Sequence, residues 1–183
     1  MIEFLKPIPT LSATLDTAKY HSYLCVIPGQ VLAEMYKKYG ARLLEANVRS
    51  FLQFRSNVNK GIKNTLANNP DMFFAYNNGI TATAEDFEIN DNNEIVFLKN
   101  LQIVNGGQTT AALTITNSKN SEVSLHNVFV QAKLSIVDTQ TSEEIVPDIA
   151  RYANTQNKVS NSDFFSNHPF HRKMERKSLK CGL

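Results

Sequence analysis

Three stretches of this chain concentrate asparagine, glutamine and glycine at the ends of apolar runs. They are Asn77-Asn78-Gly79, Asn105-Gly106-Gly107-Gln108-Thr109-Thr110 and Asn154-Thr155-Gln156-Asn157. A primary amide both donates and accepts, so Asn and Gln side chains can read a base edge or hold a sugar. Paired glycines tolerate positive φ and let another group come close to the backbone. Where such a pair opens a helix, the N–H groups of the first turn face the same space and suit an anion. The spacing therefore assigns phosphate to Gly106, Gly107, Gln108 and Thr109, with Arg49, Lys60 and Arg151 as the cations that could share its charge. Asn77, Asn78, Asn105, Asn154 and Gln156 would then meet base or sugar. The partner so described is a nucleotide, with or without Mg²⁺, or a nucleic acid. The same residues also suit plain architecture: a hairpin turn at 77–79, a strand–turn–helix corner at 105–110, and solvated faces for the cations. Neither a Walker loop nor GxGxxG is present.

An enzyme reading stands beside the binding reading. Gln131-Ala132-Lys133 has the form of the E/Q-x-K half of a metal-dependent nuclease, and Asp86 or Asp91 could supply the acid. Lysine would orient the attacking water while carboxylates hold Mg²⁺. An alternating strand produces such a triplet easily, however, and only one class of carboxylate is met. The histidines His21, His126, His168 and His171 show no ligand pair beyond the close spacing of the last two, so no catalytic metal is expected. In a third reading the chain is a non-catalytic scaffold whose asparagine turns satisfy backbone groups.

The elements that must position these residues follow from periodicity. Residues 1–17, with Pro7 and Pro9, read as an extended lead-in or edge strand, and His21–Ile27 as a strand. Pro28-Gly29 opens a helix over Gln30–Lys38 that Gly40 ends. Leu43, Leu44, Val48, Phe51, Leu52 and Phe54 supply a core-facing set. Val58, Ile62 and Leu66 recur at helical spacing and predict a helix over Asn57–Leu66. Met72–Tyr76 and Ile80–Ala84 read as two strands around the tight turn Asn77-Asn78-Gly79. Asn90–Asn93 is a surface turn leading to a strand at Ile95–Leu98.

Leu98, Leu101, Ile103 and Val104 form the apolar approach to the glycine turn, after which Thr109 or Thr110 could cap a helix. Asn117–Ser124 is a loop, and Val128–Val137 is the clearest later strand. A helix over Thr139–Ala153 has Ser142 as a cap and Glu143-Glu144 in its first turn. Pro147 inside it requires a late start or a kink. From Asp163 onward the chain is aromatic and then basic, a helix over 163–183 that could touch phosphates, form a solvated face, or begin a further domain.

With 183 residues, 42% of them hydrophobic and 20% charged, the chain has material for one domain with a real core, 1–183. The alternation of strand and helix patterns gives a mixed α/β (α+β) class, a mixed sheet flanked by helices. A net charge of +2 says nothing by itself about a nucleic-acid partner. Cys25 and Cys181 have no metal-ligand spacing and make no disulfide framework, which favours a reducing, cytoplasmic setting. No run approaches membrane-spanning length and no signal-peptide pattern begins the chain, so no membrane association is expected.

The combination VRSFLQ, VNKGIKNTL, FFAYNNGITATA, LQIVNGGQTTAAL and ARYANTQNKVSNSDF resembles the AIPR family, named for abortive-infection phage resistance proteins. The resemblance runs from about Gln30 to Lys180. It implies a role in bacterial defence against phage, with the chain as the central block of a longer protein that works with other domains or as a homo-oligomer. Matched to this sequence, the family's recurring polar positions are Arg49, Asn59, Asn77, Asn78, Gly79, Asn105, Gly106, Gly107, Gln108, Thr109, Arg151, Asn154 and Gln156. The central turn alone is similar to the strand–DGxHR–helix turn of ParB-like and phosphorothioation-linked DNA-binding proteins, whose turn and helix start hold a nucleotide phosphate, which implies a ParB/sulfiredoxin-like fold at the centre. Here Asn105 stands where that pattern has an acid, and no arginine follows the glycines.

Overall fold

The computed structural model describes residues 1–13, 19–44, 57–119 and 124–155. Seven strands make one curled, mixed sheet: β1 (Ile2–Ser12), β2 (Tyr20–Pro28), β3 (Ile80–Ala84), β4 (Asp86–Ile89), β5 (Glu94–Lys99), β6 (Gln102–Asn105) and β7 (Phe129–Val137). Their order is β4-β5-β1-β2-β7-β3-β6, and every neighbouring pair is antiparallel except β3 with β7. The helices are α1 (Gly29–Tyr39), α2 (Asn57–Asn68), α3 (Phe73–Tyr76), α4 (Gly107–Lys119) and α5 (Ser142–Thr155). This is the mixed α+β architecture, a sheet flanked by helices, that the residue pattern implies.

Strand β7 shows how the two faces differ. Its side chains alternate exposed and buried from Phe129 to Lys133, then are buried without interruption from Leu134 to Val137. Alternation marks a strand with one solvated face, and continuous burial marks one covered on both sides. The inner positions Val130, Ala132, Leu134 and Ile136 belong to the main core. There they join Cys25, Ile80, Ile95 and Ile103 from the other strands, with Leu32 and Met35 of α1, Leu66 of α2 and Leu113 of α4. Each fully buried aliphatic side chain contributes about 1.5–3 kcal/mol relative to exposure. Val104, Val137, Ala150 and Ala153 are buried yet stand outside that core, where α5 covers the opposite face.

Several elements differ from the sequence expectation. β1 is no edge: it pairs with β5 on one side and β2 on the other. The approach to the glycine turn is two strands, because β5 stops at Lys99, Asn100 takes φ 50°, and β6 begins at Gln102. β4, unanticipated in sequence, pairs with β5 across the Asn90–Asn93 turn, where Asn93 takes φ 58°.

The largest correction concerns Met72–Tyr76, an aromatic run that reads as a strand. Pro70 opens a 3₁₀ turn over Pro70–Met72 that passes into α3, so no hairpin forms at Asn77-Asn78-Gly79. Only Phe73 of α3 is buried, and a single helical turn can bury one ring while leaving Phe74 and Tyr76 outside. β3 instead finds its partners in β6 and β7. Asn117–Lys119, expected in a loop, complete α4. Pro147 neither delays nor ends α5, which starts at Ser142; the ring removes one N–H that would have reached the Glu143 carbonyl. The Ser142 hydroxyl donates to the Thr139 carbonyl at 3.0 Å.

Candidate ligand-binding site

The strand–glycine–helix corner is present as the residue types require. β6 ends at Asn105, Gly106 takes φ 89°, and Gly107 begins α4. Thr109 and Thr110 are not caps: both lie inside the helix and are buried. The Thr110 hydroxyl turns back to the Gly106 carbonyl at 3.3 Å. A Cβ on Gly106 would meet Ile80 Cγ2 at 2.6 Å and the Gly79 carbonyl oxygen at 2.8 Å. Gly79, with φ 76°, is more confined still, since a Cβ there would overlap the Gln131 carbonyl oxygen of β7. Both glycines are thus demanded by backbone sign and by space.

These contacts set the 77–79 and 105–109 stretches back to back, and hydrogen bonds tie them. Asn77 Oδ1 accepts from the Gly79 N–H at 2.8 Å, and Asn77 Nδ2 donates to Thr109 Oγ1 at 3.2 Å. The third stretch joins from the other side. Asn105 Nδ2 donates to the Ala153 carbonyl at 2.6 Å, while Asn154 Nδ2 donates to the carbonyls of Val104 at 3.0 Å and Ala150 at 2.7 Å. The end of β6 and the end of α5 therefore clasp each other through a reciprocal asparagine pair. Asn78 is exposed and Gln108 half-buried, and among the described residues neither side chain has a hydrogen-bond partner.

The expected cations do not gather. Lys60 is exposed on α2, in the helical layer that includes α4, whereas Arg151 lies on α5 across the sheet. Arg151 Nη2 pairs with Asp148 Oδ1 at 2.9 Å, both side chains well exposed, and its guanidinium lies 4.6 Å from the centre of the Tyr152 ring. Arg49, Gln156 and the 163–183 segment lie outside the described residues. What the corner offers an anion is the first turn of α4, with Gly107, Gln108 and Thr109 contributing backbone N–H groups.

The nuclease constellation is arranged differently from its sequence form. Lys133 lines a cleft whose carboxylates are Glu144 and Asp148, not Asp86 or Asp91. Asp86 Oδ1 instead accepts the Phe87 N–H at 2.8 Å, and Asp91 sits in the β4–β5 turn. Among the described residues no three His, Cys, Asp or Glu side chains stand close enough to share a metal ion. Cys25 is a core residue whose thiol burial pushes up to about 12, which removes it as a nucleophile.

Sequence reasoning missed a polar row on the outer face. Ser22, Ser135, Thr83 and Gln102 stand side by side on β2, β7, β3 and β6. Each is an alternate-position polar residue in its own strand, a signal that only the strand register could assemble. Among the described residues no helix is long and apolar enough to cross a membrane.

The likeness to known proteins is specific in one respect. The model of the family described as AIPR protein matches residues 44–182. No curated protein and no solved structure matches the chain.

Proposed function

The chain belongs to the AIPR protein family, and from that premise we propose that it is a bacterial phage-defence domain that binds the phosphate of a nucleotide or nucleic acid at Gly106–Thr109. The family points to an abortive-infection or phage-resistance role. The observation that carries the binding step is Gly106. Its φ of 89° and the lack of room for a Cβ beside Ile80 and Gly79 require glycine at this turn, which leads straight into a 13-residue helix. A phosphate would meet the N–H groups of Gly107, Gln108 and Thr109, favoured by the helix dipole. Asn77, Asn105 and Asn154 brace the corner through those bonds, leaving their remaining acceptor sites and the Asn78 amide, unbonded among the described residues, for base or sugar. Arg49, Lys60, Arg151 and Gln156 would add longer-range contacts to an extended ligand in the cytoplasm, with Mg²⁺ as a counter-ion where a polyphosphate binds.

A scaffold reading has one observation in its favour: the asparagine amides that could read a ligand already hold backbone carbonyls. One experiment separates the two. The purified chain is scanned for thermal stabilisation by nucleotides, with and without Mg²⁺, and by short DNA and RNA. A ligand that binds only the native state raises the melting temperature with its excess over Kd. Gln108→Glu then places a carboxylate in the first turn of α4, where the helix dipole tolerates it but a phosphate does not. Stabilisation by one ligand class that vanishes in Gln108→Glu is the expected result. A flat scan, or a shift that Gln108→Glu leaves intact, would overturn the phosphate assignment and favour the scaffold.

A further inference from the structure

The outer face of the sheet carries a second feature that the glycine corner does not use. α5 crosses this face above the polar row, and between it and strands β2 and β7 lies a cleft of about 300 Å³. Its floor is Ser22, Lys133 and Ser135, its helix wall includes Glu144, Asp148 and Tyr152, and Tyr20 stands at the strand end. A cleft of that size is within the range of small-molecule sites.

Two of its groups are left over by the fold itself. Lys133 makes no ion pair among the described residues, although Glu144 and Asp148 line the same cleft. Asp148 is engaged by Arg151. Ser135 is only 3% exposed, and among the described residues its hydroxyl has no hydrogen-bond partner. A buried polar group without a partner is disfavoured unless something supplies the missing bond. The register places Ser135 beside Ser22 on one side, and Lys133 is two residues away on the same face of β7. An ammonium and the nearby Ser135 hydroxyl are donors that suit a phosphate, and the opposing Glu144 carboxylate is an acceptor that suits the hydroxyls of a ribose. Tyr20 and Tyr152 are 42% and 57% exposed, and Tyr20 together with the Tyr152 face not covered by Arg151 offers aromatic surface to a flat base at the mouth.

We propose that the cleft between α5 and strands β2 and β7 binds a nucleoside monophosphate, at a site separate from the Gly106–Thr109 corner. The phosphate meets Lys133 and the Ser135 hydroxyl, the ribose faces Glu144, and the base lies against the tyrosines. This inference stands whether or not the glycine corner binds phosphate, because it rests on different side chains.

The test is calorimetric titration of the full chain with 5′-AMP, ribose 5-phosphate and adenosine. AMP binding more tightly than either half is the expected result. Lys133→Met should weaken AMP about tenfold, since it removes a charge-assisted hydrogen bond but keeps an unbranched side chain. Ser135→Ala should weaken AMP about threefold without lowering the melting temperature of the free chain, because the hydroxyl it deletes has no partner there. Undetectable AMP binding at millimolar concentration would overturn the proposal. So would AMP affinity that survives Lys133→Met but falls in Gln108→Glu, which would assign the ligand to the glycine corner. Ribose 5-phosphate binding as tightly as AMP would overturn the role given to the tyrosines.

Discussion

Helices α4 and α5 sit on opposite faces of one sheet, and different chemistry holds each of them. α4 is embedded: Ala112 and Leu113 join the main core, and the Thr114 hydroxyl reaches across to the Ala33 carbonyl of α1 at 3.3 Å. α5 buries only Ala150 and Ala153, and is pinned at its end by the amides of Asn105 and Asn154. Apolar burial is strong and non-directional, whereas an amide bond to a carbonyl is modest in net stability and specific in geometry. The inner face therefore supplies stability. The outer face fixes where a helix end, a glycine turn and an open cleft stand relative to one another.

The largest expected effect breaks the inner side of this comparison. Leu113→Ala removes a fully buried side chain and should cost about 3 kcal/mol of global stability, measured by urea unfolding. A cost below about 1 kcal/mol would mean that α4 is held by something other than its core contacts. Asn154→Ala should be smaller and local. It deletes the donated bonds to Val104 and Ala150, worth about 1–2 kcal/mol together. Amide exchange should accelerate along α5 while α4 stays protected; equal acceleration in both helices would show that the clasp belongs to the global unit.

The effect that vanishes at neutral pH is a pH dependence on the inner face. The Cys25 thiol in an unfolded chain loses its proton near 9.0, but burial delays this to about 12 in the folded protein. Between those values the unfolded state binds fewer protons, so stability falls as pH rises through that window and is unaffected below it. Burial also raises the Tyr36 phenol, with the same sign. Comparing unfolding midpoints of the native chain and Cys25→Ala across that range isolates the thiol. Parallel pH profiles would show that Cys25 is less enclosed than its neighbours imply.

Local patterns carried much of the architecture. Pro28-Gly29 before an amphipathic run, the alternation of β7 and the glycine corner after β6 all form where short-range sterics and periodicity direct them. The aromatic run ending at Tyr76 did not, because its helical turn is set by where one ring, Phe73, can be buried. The three asparagine stretches are visible in sequence, and Asn77, Asn105 and Asn154, one from each, do bond around the same corner. Their roles were not visible, since an amide that could read a ligand and one that holds a carbonyl are the same residue. Nor did sequence separation hint that Asn105 and Asn154 would face each other.

From the sequence alone come the family, the mixed class, the glycine corner with its sign of φ, and the absence of membrane-length apolar helices among the described residues. Each of these depends on residue type and near neighbours, or on a pattern spread over most of the chain. Tertiary structure alone decided that β3 runs parallel to β7 and that Ser22, Ser135, Thr83 and Gln102 form one row. It also decided that Lys133 faces α5 rather than Asp86 or Asp91. Strand register and helix placement are settled by burial summed over the whole sheet, and a shift of one residue would turn each of these side chains to the other face.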